Sequence, residues 1–128
     1  MKDFFIQQTN TLPIFNGDVC NIYTDSIEEI QKFFENNQAL DHIENTFGIS
    51  AQLNRKGKLT YVIAIIKDSS KGDNNLGQVV HEVVHTVQYI CSHIGYTPLE
   101  VGDELITHLS QYLFDEYVKF MNENNIKF

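Results

Sequence analysis

The chain has 128 residues, 42% of them hydrophobic and 20% charged, which is enough for one domain with a hydrophobic core and too few for two ordinary ones. Its net charge of −8, with no Lys/Arg cluster that could reverse it locally, argues against the basic face that nucleic acids require. No stretch approaches the roughly 20 apolar residues of a membrane span, and the opening MKDFFIQQTNTLPIF lacks the apolar run and small-residue cleavage site of a secretory signal. The expectation is one acidic, cytoplasmic domain over 1–128, a monomer or weak homodimer.

Taken in chain order, GDVCNIYT (17–24) alternates as a strand does. SIEEIQKFFEN (26–36) reads as a helix, with Ser26 and Glu29 at capping-box spacing and Ile27, Ile30, Phe33 and Phe34 as its apolar stripe. ALDHIENTFG (39–48) reads as a second short helix closed by Gly48. The segment 49–68 is expected to be a hairpin turning near Arg55-Lys56-Gly57-Lys58, with LTYVIAII (59–66) covered on both faces. SSKGDNN (69–75) is a polar loop. Leu76 to Ile94 is a helix whose main apolar stripe is Val80, Val84, Val87 and Cys91, widened by Val83 and Ile90 and stopped by Gly95. A last helix is expected over about 98–122, capped by Thr97, with Pro98 in its first turn, Glu100 completing a capping box, and Ile106, Leu109, Leu113, Tyr117 and Phe120 buried. The class is α+β: a short antiparallel sheet with N-terminal helices and two long C-terminal helices. The two cysteines, Cys20 and Cys91, form no CxxC pair and are expected as reduced, partly buried thiols.

Chemistry concentrates in HEVVH, residues 81–85. On a helix, His81 and His85 share a face one turn apart, so both imidazoles can aim at one ion at about 2.0–2.1 Å from each nitrogen. Glu82 is rotated by about 100° from His81, beside such an ion and placed to act as a general base on its water. A pair of hydrogen-bonded structural histidines is the plain alternative. A catalytic zinc needs a third protein ligand. His93 lies about 12 Å further along the same helix and is rejected. Glu104 is the preferred candidate, ahead of Asp103 and Glu100, and His108, at i+4 from Glu104, is a candidate supporting group or oxyanion donor.

HEVVHTVQYI followed by GDELITHLSQYLFDEY resembles the core of a gluzincin-type zinc metallopeptidase, in which HExxH on one helix is completed by a glutamate from a following helix. It also resembles the very small HExxH proteins of phages and bacteria. The resemblance covers residues 76 to about 117 and implies a small zincin-like domain with His81, His85 and Glu104 on Zn2+ and Glu82 as base. His108, Tyr96 or Tyr112 would serve the oxyanion, and the strand 59–66 would hold an extended peptide or protein substrate. Two departures stand beside it: little chain is left for the far wall of a cleft, and Thr107 follows Glu104 by three positions where larger members carry a small or acidic residue. The competing expectation is a non-catalytic module, with structural zinc (Asp103 or His108 as a fourth ligand) or with no metal.

Overall fold

The strongly β-branched run Leu59–Ile66 sets the layout, because a strand apolar on both faces has to be covered on both. In the computed structural model, which describes residues 4–12, 17–44, 47–55, 57–67, 76–99 and 101–127, that run lies at the centre of the sheet. The elements are β1 (Phe5–Thr11), β2 (Gly17–Thr24), α1 (Ile27–Asn37), β3 (Ala39–Glu44), β4 (Gly48–Arg55), β5 (Lys58–Ile66), α2 (Leu76–Ile94) and α3 (Glu104–Glu123). The strands form one five-stranded sheet in the order β1-β2-β5-β4-β3. The α+β class stands, but the sheet is mixed, not antiparallel throughout: β2 runs parallel to β5, while the other three pairings are antiparallel.

Side-chain alternation splits the apolar residues between two layers. On one face Val19, Tyr23, Tyr61, Ile63 and Ile65 meet Val83, Val87 and Ile90 of α2 and Leu113, Tyr117 and Phe120 of α3. On the other, Cys20, Ile22, Leu53, Val62 and Ala64 pack with Ile30, Phe33 and Phe34 of α1. The Tyr117 hydroxyl, buried under α3, donates to the Ile22 carbonyl of β2 and ties the last helix to the sheet. Cys20 and Cys91 are buried free thiols, one in each layer. No helix among the described residues is long and apolar enough to cross a membrane.

Several local expectations hold. α1 starts after Ser26, whose Oγ accepts from the Glu29 N–H, although the capping box stays open: the Ser26 N–H goes to Thr24 Oγ1 and the Glu29 carboxylate to Lys32. The β4–β5 hairpin closes with Arg55 opposite Lys58 and Gly57 at φ 78°, and α2 spans 76–94 as read.

Others are corrected. Residues 39–44 are not a helix but strand β3, paired with β4 at the edge of the sheet; Gln38, left-handed at φ 53°, caps α1 and turns the chain into it. The last helix starts at Glu104, not at 98, and its cap is Asp103, not Thr97. Expectations for the loop 69–75 and for Glu100 fall outside the described residues.

Asp103 acts as a compact knot. Its carboxylate accepts from the N–H groups of Ile106 (3.0 Å) and Leu99 (2.7 Å) and from the Tyr96 hydroxyl (2.8 Å). These donors, the Ile106 amide first, hold its pKa below the ordinary carboxylate value. The stabilisation is therefore present at neutral pH and is lost as pH falls through the depressed pKa. In acid unfolding followed from about pH 5 to pH 2, the wild type should lose stability more steeply than Asp103→Ala; equal slopes would remove the cap from the acid response.

Candidate metal centre

The HExxH turn sits in the first half of α2, and the rotation of that helix decides what each residue of the motif meets. The buried residues of α2 are Val79, Glu82, Val83, Thr86, Val87, Tyr89, Ile90 and Cys91. Val83, Val87, Ile90 and Cys91 face the core as expected, but Val80 and Val84 remain 49% and 46% exposed. The inward arc is displaced towards Glu82, so the glutamate points at the sheet and the histidines stand at the outer rim.

Glu82 is fully buried. The Ser50 hydroxyl of β4 lies 2.8 Å from its Oε1 and 2.9 Å from its main-chain carbonyl, and Gln78, one turn back, donates to Oε2. The Thr86 hydroxyl also donates to the Glu82 carbonyl. A buried carboxyl is tolerable only with such partners. Room for it depends on Gly48 at the start of β4: a Cβ there would come within 2.6 Å of Glu82 Oε2 and 2.8 Å of Gln78 Nε2. Sequence reasoning missed Gly48, Ser50 and Gln78. The available signal was the set Val79, Val83, Thr86 and Ile90, which brackets Glu82 at helical spacing and marks its face as inward.

The two imidazoles lie together on the outer flank, ring centroids 4.8 Å apart and inclined by 72°. His81 is exposed and His85 half-buried. The Nδ1 atom of His85 is buried with no hydrogen-bond partner among the described residues, as is the Tyr89 hydroxyl one turn further along. Burial, before the nearby carboxylates of Asp41 and Glu82, pushes the Tyr89 phenol pKa up.

The remaining candidates lie elsewhere. Glu104 and His108 contact each other at 3.2 Å, with side chains 80% and 73% exposed, on the side of α3 away from its buried residues Leu109, Leu113 and Tyr117. Where a third ligand was expected to approach α2, an apolar groove of about 450 Å³ separates the helices, lined by Val84, Val87, Cys91, Tyr96 and Ile106. Asp103 is committed to capping α3, and Tyr96 donates its proton to Asp103. Tyr112 packs partly buried against the core. Among the described residues no three His, Cys, Asp or Glu side chains are gathered so as to hold a metal. The histidine pair is thus a candidate for two ligands of a metal, and no third His, Cys, Asp or Glu side chain among the described residues is gathered with it.

The strand 59–66, expected to line a substrate, is corrected too: as β5 it is hydrogen-bonded on both sides, to β2 and to β4, and has no edge to offer an added strand. On the α2 side of β5 the free edge belongs to β3.

Two substitutions test the role of Glu82 in the fold. Gly48→Ala should destabilise by about 1–3 kcal/mol by forcing a methyl into the carboxyl, and Glu82→Ala by about 2–4 kcal/mol by opening a cavity and leaving Gln78 without its carboxylate acceptor. Chemical denaturation measures both, and wild-type midpoints would refute the buried lock. Comparison of the chain with family models, with curated proteins and with solved structures returns no match.

Proposed function

We propose that this protein binds Zn2+ through the HExxH turn of α2, with His81 and His85 as its histidine ligands. One observation carries the reading: two imidazoles sit side by side on the outer helix flank, and one of them keeps a buried ring nitrogen without a hydrogen-bond partner among the described residues. An imidazole nitrogen without a partner costs free energy that a donor or a metal ion would recover. Imidazole is also among the preferred ligands of zinc. The coordination not supplied by the pair is open to water or to a further side chain.

Protein purified without a polyhistidine tag should carry about one zinc per chain by elemental analysis. His81→Ala and His85→Ala should each lose most of it. His81→Ala should unfold within about 0.5 kcal/mol of wild type, since the side chain is exposed. Metal-free wild-type protein that takes up no zinc on dialysis would end the proposal.

A second reading, a zinc-dependent hydrolase of peptide or amide bonds, is favoured by the position of Glu82, adjacent to His81 with its carboxyl oriented by Ser50 and Gln78. In it Glu82 is the base, Glu104 the third ligand and His108 a supporting group. Bound zinc would supply Lewis acidity and a water of lowered pKa. This reading asks for a conformation in which Glu82 is uncovered and the first turn of α3 reaches the histidines, so metal binding stands ahead of catalysis. Glu82→Gln should keep zinc and abolish cleavage of a mixed peptide substrate, while Glu104→Ala should lower zinc affinity by about 10–100-fold. Cleavage retained by Glu82→Gln would reject the base, and unchanged affinity in Glu104→Ala would reject the third ligand.

A further inference from the structure

The face of the sheet that carries α1 holds a polar cleft unrelated to the histidine turn. Residues two positions beyond the buried Cys20, Leu53 and Val62 on the same strands are Asp18, Arg55 and Thr60, so all three point to the same side as that core. Thr9, the cross-strand partner of Cys20, and Lys58 complete the lining of a cleft of about 330 Å³. Four strands thus bring a guanidinium, an ammonium, a carboxylate and two hydroxyls to one place.

Arg55 is the only arginine in the chain. Its guanidinium carbon lies over the ring of Phe33 of α1, 5.9 Å from the centroid, in a cation–π contact. It forms no ion pair among the described residues, whereas Lys58 is held by Asp18 at 3.1 Å. Arg55 and Lys58 against Asp18 sum to +1 in a chain of net charge −8. That local reversal was not expected from the sequence. On so acidic a protein, an arginine without a carboxylate partner among the described residues is suited to recognition of an anion.

We propose that this cleft binds the carboxylate of a small organic acid. The guanidinium edge offers two parallel N–H donors in the geometry of a carboxylate, the local charge matches one negative charge, and the Thr9 and Thr60 hydroxyls supply further donors. The volume admits a ligand of small-metabolite size. A doubly charged phosphate is disfavoured, because Asp18 faces it and already takes up the Lys58 charge.

The test is an NMR titration of the full chain with acetate and with lactate, each singly charged, using chloride and inorganic phosphate at matched ionic strength as comparators. Acetate and lactate should shift the Thr9 and Thr60 amides and the Arg55 side-chain Nε–H saturably, and chloride should not. Arg55→Lys, which keeps the charge and loses the fork, should bind acetate at least about five-fold more weakly. Asp18→Asn should bind it about three-fold or more tightly, since it removes the opposing charge. The two variants move in opposite directions, so general unfolding cannot imitate the pattern. Non-saturating shifts, equal affinity in Arg55→Lys, or tighter binding of phosphate than of acetate would overturn the assignment.

Discussion

A carboxyl group shut between a helix and a sheet has to find its hydrogen bonds there or leave, and Glu82 has found them on Ser50 of β4 and on Gln78 of its own helix. That satisfaction sets the rotation of α2 about its axis. Because Glu82 turns inward, Val79, Val83, Thr86 and Ile90 follow it into the core and Val80 and Val84 are carried out to solvent. The same rotation puts His81 and His85 on the outer rim with their rings in contact. Gly48 is the complement of this arrangement, since any side chain there would occupy the space the carboxyl fills.

The rest of the helical layer follows from that setting. With Val87, Ile90 and Cys91 facing the core, α3 packs along one flank of α2 and reaches the sheet through Leu113, Tyr117 and Phe120. Its first turn is held by Asp103, whose carboxylate accepts from the Ile106 N–H of that turn and from Leu99 and Tyr96 of the preceding loop. A helix anchored at both ends has little freedom to turn Glu104 inward, so the Glu104–His108 pair stays in water. The motif is consequently divided: the histidines lie together on the outer flank of α2, while the glutamate between them serves the packing of α2 on β4. Any catalytic use of Glu82 competes with that packing. This is why the two proposals, metal binding and hydrolysis, are separable.

The sheet separates two chemistries. One face carries the histidine turn; the other carries α1 and, beside it, a cleft where Arg55 lies against Phe33. Both layers depend on β5, whose alternate side chains belong to different cores, so the two candidate sites share a rigid support without sharing residues.

Where signals were local, the sequence alone determined the outcome. The limits of α2 at 76–94, the β4–β5 turn around Gly57 and the Ser26 cap of α1 all rest on periodicity, a glycine free to take positive φ, or an oxygen within reach of an N–H three residues on. The HExxH spacing likewise guaranteed that His81 and His85 would be neighbours on a helix. Only the tertiary structure decided the rest. Leu40 and Ile43 are spaced as on a helix, yet residues 39–44 form a strand because β4 offers hydrogen-bond partners that no local pattern reveals. The start of α3 moved to Glu104 because Asp103 finds donors in Leu99 and Tyr96 through a loop fold. Whether Glu82 would face a metal or the sheet depended on Ser50 and Gly48, more than thirty residues away in the chain. Periodicity specifies which residues share a face, but the partner across the interface specifies which face is buried.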